Sequence, residues 1–93
     1  MSNHTPGPWS FYDDSNDGKT NRVEIVAIGK TVARIYHSVP EEDLPNARLI
    51  ASAPDLLEAL KLADLLLSGA NMNRNVVEQK VRTAIAKATG EQP

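Results

Sequence analysis

Ninety-three residues with 41% hydrophobic and 24% charged side chains make one domain with a single small core. The formal charge of −2 supplies no basic field for gripping duplex DNA. The absence of cysteine excludes a disulfide framework, a thiolate nucleophile and cysteine-ligated zinc.

Residues 1–8 hold two prolines and a glycine and predict an extended arm. The polar start lacks the basic patch and apolar run of a secretory signal. Trp9, Ser10 and Phe11 read as a short strand with alternating faces. Asp13 to Gly18 is a turn cluster. Val23 to Ile28 form a second strand, with Val23, Ile25 and Ala27 on one face. Gly29-Lys30 suits a type II′ hairpin turn with glycine first. The partner strand runs from Thr31 to His37, with Val32, Arg34 and Tyr36 on one face and Ala33, Ile35 and His37 on the other. Residues 9–37 are thus a three-stranded antiparallel meander, and a sheet this small needs a cover.

Residues 44–89 provide the cover. Val39 to Asp43 form a connector that sets carboxylates before the next helix, where its dipole favours them. A first helical piece is expected to start between Leu44 and Asn46 and run towards Ser52. Pro54 is tolerated if Ser52 caps a fresh start. The restarted helix carries Leu56, Leu57, Leu60, Ala63 and Leu67 at helical spacing and ends at Ser68-Gly69. Asn71 to Asn75 is a polar loop with Asn75 as N-cap, and the last helix carries Val77, Val81, Ile85 and Ala88 until Gly90 stops it. The expected architecture is α+β: one domain over 1–93, a small meander followed by two packed helices. Leu62, Leu65 and Leu66 widen the apolar stripe beyond what one small sheet covers, which predicts a homo-oligomer. The longest strongly apolar run, residues 62–67, is broken by Asp64 and far short of the roughly 20 residues of a membrane span. A soluble, cytoplasmic protein is expected.

Catalysis is not expected. The only histidines are His4 and His37, and neither stands in a nucleophile–base setting. Asp13, Asp14 and Asp17 resemble part of a calcium loop but lack its terminal glutamate, so they read as a solvated turn. No phosphate loop occurs, and neither a metal nor a cofactor is implied. Binding fits the residues better. Asn46 and Arg48 stand near the expected helix start, where free N–H groups and the dipole suit an anion. Arg82, one residue from the apolar stripe, is expected to reach the same groove. Arg22, Arg34 and Tyr36 are expected to close it from the sheet. For any single arginine the competing reading is a solvated or carboxylate-paired side chain. Trp9 reads as a core or interface anchor.

Three segments carry a family resemblance. Asn46-Ala-Arg-Leu-Ile-Ala-Ser-Ala-Pro-Asp-Leu-Leu-Glu-Ala-Leu60 resembles a segment that recurs in small proteins of bacteriophages and prophages. Such proteins often open as His4-Thr-Pro-Gly-Pro-Trp9 does here and close on a basic-apolar helix like Val81 to Gly90. The resemblance implies a non-catalytic role in phage–host conflict. The order of meander and helices, with this segment and an arginine in the last helix, is similar to the Thoeris anti-defence sponge proteins. Those assemble as oligomers and sequester cyclic ADP-ribose-type signals, some also cyclic oligonucleotides, without cleaving them. By that resemblance Asn46, Arg48, Arg82, Arg34 and Tyr36 are the candidate ligand residues, with a small nucleotide-type signal and a second copy of the chain as partners. Neither a membrane nor sequence-specific DNA is expected. The rivals are a protein-binding inhibitor of a host defence or transcription complex, using the acidic residues 41–43 and 13–17, and a small phage regulator.

Overall fold

The computed structural model describes residues 3–13, 22–36 and 40–91. The turn cluster beyond Asp13, and His37, lie outside them. The elements are β1 (Ser10–Asp13), β2 (Arg22–Ala27), β3 (Lys30–Tyr36), α1 (Pro40–Ala51), α2 (Ala53–Leu67) and α3 (Arg74–Thr89). The chain is α+β, as expected, with three helices in place of two because the segment before Pro54 forms a helix of its own.

The strands pair antiparallel in the order β1-β2-β3. Phe11 lies opposite Ile25 and Ile25 opposite Ala33, while Val23 faces Ile35. Strand periodicity puts these residues on one face. Val23 and Ile25 are fully buried there against Ala47 and Ala51 of α1, with Trp9, Phe11, Ala33 and Ile35 packed around them. The two alanines let the α1 backbone come close to the sheet. Alternation therefore sets the core, and it sends Tyr12, Glu24, Arg34 and Tyr36 to the opposite, outer face.

The β2–β3 turn differs from the expected one. Ala27 pairs with Lys30, so Ile28 and Gly29 are the central residues, and Gly29 at φ +73° stands second. A type II′ turn needs positive φ at its first position, and β-branched Ile28 does not adopt it. The register then slips between Ile25 and Val26, leaving Val32 as the extra residue.

α1 begins at Pro40, four or more residues before the expected start. Proline at the first position is preset for a helix, and Glu41, Glu42 and Asp43 occupy the first turn rather than a connector. Pro45 lies inside the helix, where it forgoes one backbone bond. Ser52 does not cap α2 through its side chain. It keeps helical dihedrals, φ −88° and ψ −3°, and its hydroxyl donates back to the Arg48 carbonyl at 2.7 Å. The α3 cap is Asn73, whose side chain accepts from Asn75 N–H at 2.9 Å, so Asn75 is capped rather than capping. Gly90, at φ +76°, ends α3 as expected.

α2 and α3 form an antiparallel hairpin, and α3 also packs against α1. Ala59 of α2 and Val77 and Ala84 of α3 are buried between them. The expected stripes are only partly covered: Leu60 is 67% exposed, Leu67 86% and Ile85 49%. The arm does not run free. The Trp9 indole N–H donates to the Thr5 carbonyl at 3.1 Å, His4 meets the Trp9 ring edge-on, and Gly7 lies against Pro54.

Candidate functional site

The five residues expected to share one groove lie on three elements, with Asn46 and Arg48 on α1, Arg82 on α3, and Arg34 and Tyr36 on β3. Asn46 is exposed in the middle of α1, not at a helix start. Arg48 lies in the last turn of α1, and its guanidinium sits against Gly90, the C-cap of α3. Both helix ends there carry the negative pole of the dipole and unsatisfied carbonyls. That setting holds a guanidinium well and disfavours an added anion. The anion site proposed for the start of this helix is therefore lost with the earlier start of α1. Arg82 is exposed on α3, eight residues before Gly90, or roughly 12 Å of helix rise.

Arg34 and Tyr36 belong to the outer face of the sheet, on the side away from α1. There Tyr12, Glu24 and Arg34 stand opposite one another across the three strands, with Arg22 opposite Tyr36 in the adjoining row. Glu24 is 3% exposed. Its Oε1 accepts from Arg34 Nε at 3.0 Å, and Arg22 Nε lies 2.8 Å from the same oxygen. The Oε2 atom is buried with no hydrogen-bond partner among the described residues. One carboxylate thus holds two guanidiniums. The hydrogen bond and charge of Glu24 raise the Arg34 pKa above its ordinary value, so that side chain stays cationic throughout the physiological range. Tyr12 and Tyr36 are half or more exposed beside it. Among the described residues the cluster carries two positive charges against one negative.

A second concave surface lies between α2 and α3, with a volume of about 520 Å³. Ala59 and Ala84 line it, and it gathers two acids, Asp55 and Glu58, with two lysines, Lys80 and Lys87. Lys87 is already engaged: its ammonium donates to Asp55 Oδ2 at 2.6 Å and to the Trp9 carbonyl at 3.1 Å. This ties the arm to both helices of the hairpin. Balanced charge gives the groove no preference for an anion.

Glu24 and Lys87 were absent from the residues singled out in the sequence. A signal for Glu24 existed, since a lone carboxylate inside the apolar run of residues 23–28 conflicts with a two-sided apolar strand. Its pairing with Arg34 required the register. Lys87 had only the general preference for a basic residue in a last helical turn. No three His, Cys, Asp or Glu among the described residues are grouped to hold a metal. No described helix is long and apolar enough to cross a membrane.

No curated protein and no solved structure matches the chain. The family model described as Salmonella phage P22 protein Y8K6 matches residues 1–92, and the chain belongs to that phage protein family.

Proposed function

We propose that this phage protein is a non-catalytic counter-defence binder that sequesters a nucleotide-type immune signal, of the cyclic ADP-ribose or cyclic oligonucleotide kind. The outer sheet face, rather than the start of α1, receives it. The observation that carries this reading is the Arg22–Glu24–Arg34 cluster between Tyr12 and Tyr36. Guanidiniums fork onto phosphate oxygens, and tyrosine rings offer a face to a base. Anchoring both arginines on Glu24 restricts their rotamers before a ligand arrives, which lowers the entropy cost of binding. Neither a nucleophile–base pair nor a phosphate loop is read in the chain, so the ligand is held and released unchanged. Arg48 and Asn46 take no part in this version of the site.

Titration calorimetry with cyclic ADP-ribose isomers and cyclic di- and trinucleotides is the direct measurement. At least one is expected to bind below about 10 μM, roughly −7 kcal/mol. Arg34→Ala is expected to weaken it by about tenfold or more, while Arg48→Ala leaves it within about twofold. Denaturing the complex is expected to return the ligand intact. If every ligand binds more weakly than that, a protein-binding inhibitor becomes the better reading.

A further inference from the structure

The hairpin of α2 and α3 has two unlike sides. On one lies the groove floored by Ala59, Val76 and Ala84 and rimmed by the charged Asp55, Glu58, Lys80 and Lys87. Helical spacing places Leu56, Leu60, Ala63 and Leu67 of α2 on the other side, with Val81 and Ile85 of α3 beside them. This side is apolar and open: Leu60, Leu67 and Ile85 are exposed. Among the described elements the other helix packed on α3 is α1, and neither α2 nor α3 packs broadly against the sheet. The molecule is correspondingly elongated, with extents of 53 × 28 × 18 Å. Its radius of gyration is 15.5 Å, against about 12 Å for a compact chain of this length.

We propose that a second copy of this chain covers this side, the two hairpins packing about a two-fold axis into an antiparallel four-helix bundle. The occupant is argued from three features. A two-helix layer with one apolar side is half of such a bundle, and an identical layer supplies the missing half. The charges bordering the stripe are balanced, Arg74 and Arg82 against Asp64 and Glu78, with Arg74 and Glu78 already paired at 3.1 Å. A strongly acidic or basic partner gains nothing from that border, whereas a like copy meets no net repulsion. Among the described residues the fully buried core is also small, with Ile25 and Val23 its largest apolar members, so a domain of this size gains much from sharing an interface. The proposal is independent of the ligand reading, because the outer sheet face takes no part in it.

Sedimentation equilibrium of the full chain is expected to give a species of twice 10.1 kDa at tens of micromolar, with a melting temperature that rises with protein concentration. Leu60→Asp and Ile85→Asp each put a carboxylate on the apolar side, and both are expected to give folded monomers with the helical circular dichroism retained. The chain has no cysteine, so one introduced thiol reports position without interference. Leu60→Cys is expected to cross-link between chains with a short bismaleimide, and Gln79→Cys, on the groove side, is not. A monomeric wild type at that concentration overturns the proposal. So does an undiminished dimer in both aspartate variants, or cross-linking no better at position 60 than at 79. The cross-linking arm stands even if an aspartate variant fails to fold.

Discussion

Replacing Gly90 with alanine tests whether the end of α3 and the Arg48 guanidinium act as one unit. Gly90 sits at φ +76°, where a Cβ costs roughly 1–2 kcal/mol against the following carbonyl. A Cβ at that position also lies 3.0 Å from Arg48 Nε and 3.1 Å from its Cδ and Cζ. The arginine must shift by a few tenths of an ångström, which weakens the contact of a cation at the negative end of a helix, worth about 0.3–1 kcal/mol in full. Gly69 provides the control, since it follows α2 at φ +92° with nothing within 4 Å of an added Cβ. Gly69→Ala therefore reports backbone strain alone. Urea unfolding at one fixed protein concentration measures both variants on the same footing. Gly90→Ala is expected to lose more than Gly69→Ala by up to the value of that contact, about 0.3–1 kcal/mol. In an Arg48→Ala background the excess should disappear, as a double-mutant cycle requires of a pairwise effect. Equal losses at the two glycines, or an excess that survives removal of Arg48, refute the structural assignment of Arg48. An arginine that proved dispensable to α3 would return to the candidates for ligand contact.

Ile25→Ala empties the centre of the sheet-on-α1 core and is expected to cost about 2–4 kcal/mol in urea unfolding, because Ile25 is fully buried and the sheet cannot collapse onto the void. Lys87→Met removes the ties to Asp55 and to the Trp9 carbonyl. The ion pair is more than a third exposed on both sides, so the expected loss is only about 0.5–1 kcal/mol. Amide hydrogen exchange is then expected to accelerate at Trp9 and in the first turn of α2, and unchanged exchange there counts against Lys87 as the link between arm and hairpin.

The β half was legible because both of its signals are local. Val23 and Ile25, then Ala33 and Ile35, alternate with polar or charged neighbours, and period two leaves one way to face a core. The exact turn was not, since it depended on whether Ile28 or Gly29 would take the positive φ. The start of α1 was misplaced for a related reason. Three consecutive acids after a proline are compatible with a connector or with a first helical turn, and Pro45 argued for a later start. Burial of Asp43 and packing of Ala47 and Ala51 on the sheet favour the longer helix, and neither is visible from spacing. The misplaced start carried the site with it. An anion pocket at Asn46 and Arg48 followed from a helix terminus that lies elsewhere, while the Arg22–Glu24–Arg34 cluster depends on which residues of β2 and β3 stand opposite one another. Cross-strand neighbours are 10 and 12 residues apart in the chain, and only register brings them together.

The helical stripes were legible as periodicity, and their excess over what one small sheet covers was legible with them. Leu56, Leu60, Ala63 and Leu67, and likewise Val77, Val81, Ile85 and Ala88, do fall at helical spacing. The sequence implies that part of them packs within the chain and that the excess is left for a second copy. In the fold only part of each stripe packs within the chain: Val77 is buried, while Leu60, Leu67 and Ile85 stand open. Periodicity measures how apolar a face is; it carries no information on what covers it. The hairpin closes instead through the small residues Ala59 and Ala84, which let the helices approach closely. The large residues are left at the edge of that contact and beyond it. For one chain in water this arrangement leaves apolar area uncovered along a 15-residue helix. In the proposed dimer the same residues would form the seam. The proposed second copy would put to use the excess of leucine over what a three-stranded sheet covers.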